Sequence, residues 1–165
     1  FVKMIKPKSV LDVYAGFASV YKKLNCDNVI SNDKNEKSNT EYHLEALDFV
    51  CKMYIDKRKF DLIDLDPFGS AYDCFDLAIK MAKKGLVITL GELGHKRFKR
   101  LDFVRRYYGI ETLEDFTTDN LVKHIIKIGE RNKKTLTPIY VKDWRNIARV
   151  YFKIEQLKIT EQWEK

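Results

Sequence analysis

Short apolar runs alternate with amphipathic stretches along the first half of the chain. The runs of strand length cover residues 9–14, 28–32, 60–65 and 86–90, and the more polar residues 40–44 are a further candidate strand. Between them, apolar positions at helical spacing predict helices over residues 18–24, 46–57 and 72–84. Ser70 and Gly85 are placed to begin and end the last of these helices as its N-cap and C-cap. Strands that alternate with helices indicate a parallel sheet covered by helices.

The pattern changes after the fifth predicted strand. Residues 95–108 are densely basic and aromatic and predict one helix, and residues 119–128 predict another. Two strand-like runs follow, residues 136–141 and 148–154, and the short polar link between them suits an antiparallel pair. We therefore expect an α/β fold: a Rossmann-like, doubly wound and mostly parallel sheet of seven strands with an antiparallel C-terminal strand. Many doubly wound folds share the first half of this topology, so it does not define a function.

The composition is that of a globular protein, with 45% hydrophobic and 33% charged residues in a chain of 165. We expect a single domain over residues 1–165, because this length suits one core. No stretch approaches the roughly 18 apolar residues of a membrane span, and no signal-peptide pattern opens the chain. The first residue is Phe1 rather than Met, so we expect the native N-terminus to be missing.

Isolated cysteines and histidines give no sign of a metal site. Neither the three cysteines nor the three histidines have the spacing of a ligand set. Three widely spaced cysteines predict a reduced, intracellular (cytoplasmic) protein and no metal. Each histidine is interpreted as a surface or half-buried polar residue. The residues concerned are Cys26, Cys51, Cys74, His43, His95 and His124.

A net charge of +7 and a pI near 9.2 favour a polyanionic partner such as a nucleic acid, although a lysine-rich composition alone gives the same charge. Clustered cations with interleaved aromatics follow the fifth strand and suit a nucleic-acid backbone with unstacked bases. The alternative is an amphipathic helix that partly buries Phe98, Leu101, Phe103 and Val104. The candidate nucleic-acid-binding residues are Lys96, Arg97, Lys99, Arg100, Arg105 and Arg106.

The ends of the first two strands carry candidate ligand-binding residues. Asp12 and Gly16 lie at the first strand–helix junction, where a glycine lets a ligand approach the backbone and Asp12 can orient the loop or hold a cationic group. Asp33 ends the second strand, where a carboxylate accepts hydrogen bonds from a ribose diol. The alternatives are a plain turn at Gly16 and a helix N-cap at Asp33.

The end of the fourth predicted strand carries the most specific motif, Asp66-Pro67-Phe68-Gly69. Pro67 cannot continue a strand ladder, so the chain must turn out into the ligand crevice. Asp66 and the Pro67 carbonyl can each accept a hydrogen bond from an amino group, and Phe68 can stack on a planar base. Two acceptors beside a stacking ring suit methylation of an exocyclic amine. Cytosine-C5 chemistry is rejected, because it needs a cysteine in this loop.

Residues 60–90 resemble the corresponding strand, loop and helix of the tRNA guanine-N2 dimethyltransferases, which carry Asp-Pro-Phe-Gly-Ser or Asp-Pro-Tyr-Gly-Ser after a strand of similar sequence. The loop is more loosely similar to the Asp-Pro-Pro-Tyr loop of other amino methyltransferases. Residues 12–18 resemble the Asp-x-x-x-Gly-x-Gly motif of methyltransferases, with Ala18 in place of the last glycine. The topology is also similar to that of class I S-adenosylmethionine-dependent methyltransferases.

This resemblance implies an S-adenosylmethionine-dependent N-methyltransferase that acts on an exocyclic amino nitrogen of a base, tRNA guanine first and DNA adenine next. A bound base must be unpaired or flipped out to reach the loop. Two alternatives stay open: a methyltransferase of a protein or small amine, and a non-catalytic nucleic-acid-binding relative in which Ala18 marks a decayed cofactor loop.

The resemblance also implies roles for individual residues. Glu45 falls where the family often has an aspartate that touches adenine, with Asp48 as a competing candidate. The implied cofactor-binding residues are Asp12, Tyr14, Gly16, Asp33, Glu45 and Asp66, and the implied catalytic residues are Asp66, Pro67 and Phe68.

Overall fold

A computed structural model describes residues 1–24 and 26–157 of the chain. In these residues there are six strands, seven α-helices and two 3-10 turns, at Tyr72–Cys74 and Gly91–Leu93. The strands are β1 (Ser9–Asp12), β2 (Asn28–Ser31), β3 (Phe60–Leu65), β4 (Ala82–Leu90), β5 (Lys134–Trp144) and β6 (Ile147–Gln156). The helices are α1 (Val2–Ile5), α2 (Val20–Lys23), α3 (Ala46–Ile55), α4 (Phe75–Met81), α5 (Gly94–Arg97), α6 (Asp102–Tyr108) and α7 (Thr118–Arg131).

One mixed sheet organises the described residues, with the strand order β2-β1-β3-β4-β6-β5. The first four strands are parallel, and β6 is inserted antiparallel between β4 and β5. The predicted doubly wound, mostly parallel sheet with an antiparallel C-terminal strand is therefore confirmed. The predicted antiparallel terminal pair is also confirmed, and only Arg145 and Asn146 separate its two strands.

The prediction of seven strands is wrong for the described part of the chain, because residues 40–44 form no strand. Only Tyr42 pairs with the sheet, through an isolated parallel bridge to Asn32. The Glu41 carboxylate accepts hydrogen bonds from the backbone N–H of Ser31 at 2.8 Å and from the Ser31 hydroxyl at 2.5 Å. A side chain thus satisfies a donor at the edge of β2 that a further strand would otherwise use.

The predicted helix over residues 72–84 is too long, and Gly85 is not its C-cap. Helix α4 ends at Met81, and β4 begins at Ala82, which pairs with Phe60. Lys134 Nζ donates to the carbonyl oxygens of Ile79 and Ala82, each at 2.5 Å, and so supplies donors at the end of the helix. Burial lowers the pKa of Lys134 to about 8.

Gly85 lies inside β4 for a reason of packing. A Cβ atom at this position would lie 3.1 Å from Leu62 Cδ1 and 3.1 Å from the ring of Phe1. A larger residue would therefore press the neighbouring strand and the N-terminal ring outward.

The basic segment is two short helices rather than the single helix predicted over residues 95–108. Helix α5 ends at Arg97, and Lys99 takes a left-handed conformation with φ 52° before α6 begins at Asp102. The aromatic and apolar residues of α6 face the core, where Val104 and Tyr108 are buried. None of the helices in the described residues is long and apolar enough to cross a membrane.

The two faces of the sheet are covered unequally. Helices α3, α4, α6 and α7 pack on one face and form the main core with alternate strand residues such as Leu11, Ile63 and Leu86. The other face holds a smaller cluster around Val10 and Leu62, with cover from α1 and α2. Toward the carboxyl ends of the strands this second face becomes polar. The buried or half-buried polar residues there are Asp12, Asp64, Thr89 and Arg149.

Candidate active site

A cleft of about 740 Å³ opens at the carboxyl ends of β1, β2 and β3. Residues 13–16 line it after β1, residues 32–34 after β2, and residues 66–71 after β3. Ligands of open α/β sheets bind at this edge. The cleft brings together most of the predicted site residues, namely Tyr14, Gly16, Asp33, Glu45, Asp66, Pro67 and Phe68.

The glycine loop after β1 is tied to the end of β2 by Asp33. The backbone N–H of Gly16 donates to Asp33 Oδ2 at 2.9 Å, and the N–H of Asn35 donates to Asp33 Oδ1 at 2.9 Å. Gly16 has φ 62°, a conformation that favours glycine, and no atom lies within 4 Å of where its Cβ would be. The loop therefore leaves open space beside its backbone.

Asn32 lines the cleft and joins three segments there, a role that the sequence did not reveal. Its side-chain amide donates to the carbonyls of Val13 at 3.2 Å and Leu44 at 3.0 Å, and its Oδ1 accepts the N–H of Leu44 at 2.9 Å. The Ala15 N–H in turn donates to the Asn32 carbonyl at 2.9 Å. One buried amide thus fixes the glycine loop against the segment that leads into α3.

Two further predicted cofactor residues differ in their surroundings. Tyr14 is half-buried, and its hydroxyl lies 3.9 Å from Cys74 Sγ; burial is the main cause that raises the pKa of the Cys74 thiol to about 11. Glu45 is an exposed residue at the start of α3 and lies 3.6 Å from Lys34 Nζ. Its competitor Asp48 is exposed on α3 and does not line the cleft.

Asp12 lies below the cleft rather than in its wall. Its carboxylate is buried and accepts the Ser19 hydroxyl at 2.6 Å, while Ser19 also accepts the N–H of Tyr21 at the start of α2. Of the two roles considered for Asp12, this geometry favours orientation of the loop over contact with a cationic ligand group. Burial and the nearby Asp64 carboxylate raise the pKa of Asp12 to about 7.

The Asp66 loop presents alternating exposed and buried residues. Asp66 and Phe68 are exposed, Phe68 completely, and Pro67 between them is buried. Among the described residues, no backbone or side-chain donor bonds the Pro67 carbonyl. The loop therefore offers a carboxylate, a carbonyl and an aromatic ring at the same wall of the cleft.

Residues directly after β4 brace this loop, and the sequence reasoning missed them. A Cβ on Gly91 would lie 2.2 Å from the carbonyl oxygen of Gly69, so the two backbones are in close contact. Buried Glu92 accepts hydrogen bonds from the hydroxyls of Ser70 and Tyr108, the latter at 2.9 Å. Burial is the main cause that raises the pKa of Glu92. The one available signal was a glycine and an acid directly after a buried strand.

A second missed group holds the Asp66 carboxylate. Thr89 donates its hydroxyl to Asp66 Oδ1 at 2.5 Å, and Arg149 Nη1 lies 2.8 Å from Asp66 Oδ2. Arg149 Nη2 also donates to buried Asp64 at 2.6 Å. Burial raises the pKa of Asp64 to about 6, and the guanidinium of Arg149 opposes this shift. An arginine between the buried residues Ala148 and Val150 of a strand was the signal that could have found this group.

The basic segment begins at the same edge of the sheet. Gly94 at the start of α5 lies near the carbonyl of Asn146. Ile147, which follows Asn146 in the chain, lines the cleft. Phe98 is 64% exposed, and the guanidinium carbons of Arg97 and Arg100 lie 5.7 Å and 5.5 Å from its ring centroid. Burial on an amphipathic helix therefore explains Phe103 and Val104 but not Phe98.

The other candidate cations differ in their contacts. Lys96 donates to the Phe116 carbonyl at 2.8 Å, and Arg105 pairs with Glu111 at 2.7 Å. Lys99, Arg100 and Arg106 are exposed. Among the described residues, no group of three or more histidine, cysteine or acidic side chains is arranged to hold a metal ion.

The strand order, the inserted antiparallel β6 and the cleft at the carboxyl ends of β1, β2 and β3 define the fold of class I S-adenosylmethionine-dependent methyltransferases. The family model described as N2,N2-dimethylguanosine tRNA methyltransferase matches residues 19–162. The chain belongs to this family. No curated protein sequence matches the chain.

Solved structures agree on the fold. Trm1 from Pyrococcus horikoshii, determined with S-adenosyl-L-methionine, superposes with a TM-score of 0.74 at 19% sequence identity. The match covers 94% of this chain and 52% of Trm1, so this chain spans about half the length of that protein. Magnesium protoporphyrin IX methyltransferase from Synechocystis PCC 6803, with bound SAH, has a TM-score of 0.56 at 15% identity; the match covers 93% of this chain and 77% of that one.

Proposed function

We propose that this chain is the catalytic domain of an S-adenosylmethionine-dependent methyltransferase that modifies an exocyclic amino nitrogen of a nucleic-acid base, with tRNA guanine as the favoured target. The observation that carries the proposal is the Asp66 loop, which presents an exposed carboxylate, a carbonyl and an exposed ring at one wall of the cleft. Membership of the N2,N2-dimethylguanosine tRNA methyltransferase family supports guanine in tRNA over adenine in DNA.

The part of the cleft that follows β1 and β2 has the features of a cofactor site. The open space beside Gly16 leaves room for a ligand to approach the backbone, and Asp33 lies at the end of β2 where a ribose diol is recognised in such folds. Tyr14 and Glu45 also line the cleft and would border the same ligand. The solved neighbours bound to S-adenosylmethionine or SAH support the same assignment.

When bound, S-adenosylmethionine supplies a methyl group on an already activated sulfonium, so the protein needs no strong acid or base. The work of the protein is then to position the target amine. Asp66 and the Pro67 carbonyl accept hydrogen bonds from the two N–H groups of the amine and so turn the nitrogen lone pair toward the methyl group. Transfer leaves S-adenosylhomocysteine, and the methylated nitrogen releases one proton to solvent at the open cleft. Phe68 stacks on the base, a contact that depends on the planar ring more than on the identity of the base.

The basic segment supports a nucleic acid as the substrate. Exposed Phe98 between two arginines offers a stacking ring with cations beside it, the combination that binds unpaired nucleotides. Lys99, Arg100 and Arg106 add exposed positive charge to the same segment. A base that reaches Phe68 must be unpaired or flipped out, which suits a loop or an end of an RNA.

Binding of S-adenosylhomocysteine to the 165-residue chain, measured by calorimetry, is the first test. We expect saturable binding in wild type that Asp33→Ala weakens. Folded protein without affinity at millimolar ligand would overturn the enzymatic proposal and leave the non-catalytic relative.

Transfer of a labelled methyl group to tRNA, DNA and a protein pool is the second test. After digestion of the RNA to nucleosides, we expect the label on N2-methylated guanosine. Label on adenine of DNA, or on protein or a small amine, would identify the competing substrate class and overturn the tRNA assignment.

A further inference from the structure

Arg149 lies between two carboxylates on the polar face of the sheet. It sits on β6 opposite Thr89 of β4, and only 17% of its side chain is exposed. Its Nη2 donates to Asp64 Oδ2 at 2.6 Å, while its Nη1 lies 2.8 Å from Asp66 Oδ2 and 2.6 Å from Thr89 Oγ1. One guanidinium thus joins a buried acid to the acid of the candidate active site.

Thr89 completes the contact with Asp66. Its hydroxyl accepts Arg149 Nη1–H and donates to Asp66 Oδ1, so each carboxylate oxygen of Asp66 has its own donor. Two donors on two oxygens fix the plane of a carboxylate, which one donor does not. The Asp66 side chain remains 49% exposed, so acceptor sites on the same oxygens still face the cleft.

The planar fork of an arginine suits this position. Its two terminal nitrogens reach Asp64 and Asp66 at the same time, whereas a lysine ammonium is a single point charge. Arg149 also offsets the buried charge of Asp64, whose Oδ2 accepts the Tyr21 hydroxyl at 2.5 Å. Loss of the arginine would therefore affect the fold as well as Asp66, and an experiment must separate these two effects.

We propose that Arg149 is a positioning residue of the methyltransferase reaction, which holds the Asp66 carboxylate, together with Thr89, in the orientation that accepts the target amine. The inference rests on the proposed function, because Asp66 acts on an amine only in that proposal. It assigns the orientation of Asp66 to β4 and β6, two strands that contribute no residue to the Asp66 loop itself.

The test compares Asp64→Asn with the double variant Asp64→Asn/Arg149→Met. Asparagine has the shape of aspartate and keeps an oxygen for the Tyr21 hydroxyl, but it removes the buried charge that Arg149 neutralises. Methionine then fills the space of the arginine stem without leaving a carboxylate unpaired at position 64. The two variants therefore differ chiefly in whether Asp66 keeps its guanidinium partner.

Carboxyl labelling with a water-soluble carbodiimide and an amine, read by mass spectrometry, reports on Asp66 without any substrate. We expect the rate at Asp66 to rise about fivefold or more in the double variant relative to Asp64→Asn, because a donor on one oxygen is lost. Labelling of exposed Asp48 should stay equal and serves as the internal reference. Melting temperatures should agree within about 3 °C.

Steady-state methyl transfer gives the functional readout. We expect kcat to fall about tenfold or more between the two variants, with S-adenosylmethionine affinity unchanged within about twofold, because only the orientation of the target contact differs. Thr89→Val, which removes the other donor without a change in charge, should lower kcat by a smaller factor. Arg149→Lys in the Asp64→Asn background should restore part of the activity.

Equal labelling of Asp66 and equal kcat in the two variants would overturn the inference and leave Arg149 as a partner of Asp64 alone. Failure of the proposed function has a different signature. In that case wild type transfers no methyl group to any substrate, which removes the catalytic consequence of Arg149, while the labelling comparison still decides whether Arg149 holds Asp66.

Discussion

The Asp66 loop and the Gly16 loop lie at the same edge of one sheet and are held in different ways. The Asp66 loop is braced by backbone contact with Gly91, by Glu92 through Ser70, and by Thr89 and Arg149 on its carboxylate. The Gly16 loop is held mainly by polar side chains, Asn32 and Asp33 at the end of β2 and Asp12 through Ser19. Within residues 1–24 and 26–157, only the isolated Asn32–Tyr42 bridge continues the sheet beyond β2.

This difference matches the two tasks that we propose for the cleft. A neutral amine offers little binding energy, so the groups that orient it must be fixed in advance. A large cofactor offers many contacts, and part of its binding energy can order the loop that binds it. The Asp66 loop should therefore control the rate of methyl transfer, and the Gly16 loop should control affinity for the cofactor.

Asp66→Ala is expected to have the largest effect. Removal of the carboxylate takes away one of two acceptors for the target amine, and we expect kcat for methyl transfer to fall by about 100-fold or more. Cofactor affinity should stay within severalfold of wild type, because Asp33 and the Gly16 loop are unchanged. Labelled-methyl transfer and calorimetric binding of S-adenosylmethionine measure the two quantities. Loss of binding without a separate loss of transfer would show that the role of Asp66 is misassigned.

Gly91→Ala tests the brace rather than the chemistry. The new Cβ would overlap the Gly69 carbonyl oxygen, so the Asp66 loop must shift. We expect transfer to fall by about 30-fold, because small displacements of positioning groups are costly. The free energy of unfolding, from urea titration, should fall by about 1–3 kcal/mol.

Gly94→Ala is the matched control for this substitution. Gly94 is helical, and the nearest heavy atom to its new Cβ would be 3.8 Å away. We expect unchanged transfer and equal or slightly higher stability. If both variants transfer methyl groups like wild type, the contact between Gly91 and Gly69 does not position the loop.

The close contact at Gly91 and the partners of Asp66 were not predicted from the sequence. Strand and helix periodicity located the parallel sheet, and the Asp66-Pro67 pair marked the loop at the end of β3, because both signals are local. The partners of Asp66 are not local. Thr89 and Arg149 lie 23 and 83 residues further along the chain, and only the antiparallel register of β4 and β6 brings them together.

The third predicted strand failed for a related reason. A five-residue polar and aromatic run satisfies the strand pattern, but Glu41 occupies the donors of Ser31 at the edge of β2. Such competition between a side chain and a backbone ladder depends on geometry that no periodicity records. The single helix predicted across Lys99 was wrong in the same way, because the left-handed residue between α5 and α6 has no local signal such as a glycine.

Asp33→Ala tests the role of the Gly16 loop in cofactor binding. The Gly16 N–H loses its carboxylate acceptor, and a ribose would lose the same group. We expect affinity for S-adenosylmethionine to fall by about 10- to 150-fold, since a hydrogen bond to a charged group contributes about 1.5–3 kcal/mol. At saturating cofactor, kcat should recover most of its wild-type value. An equal fall in kcat at saturation would mean that the two loops are not separable.

Substitution of Asp12 should have a smaller effect, which is measured as a change in the free energy of unfolding. Its folded-state pKa of about 7 lies above the ordinary value of 3.8, because burial and the neighbouring Asp64 disfavour the charged form. Between these two values the folded chain keeps a proton that the unfolded chain has released. The contribution of Asp12 to the free energy of unfolding must therefore fall as pH rises from about 4 to about 7, and stay low above that.

Asp12→Asn removes this titration while the amide oxygen still accepts the Ser19 hydroxyl. We expect the free energy of unfolding of the variant to rise relative to that of wild type as pH increases. The two values should be nearly equal near pH 4, and the variant should be more stable by about 1–2 kcal/mol at pH 8. Urea unfolding at matched pH values measures this difference. A gain for Asp12→Asn that is equal at pH 4 and pH 8 would mean that burial does not raise the pKa of Asp12. In that case no buried charge destabilises the Gly16 loop, and the two loops differ only in the contacts that hold them.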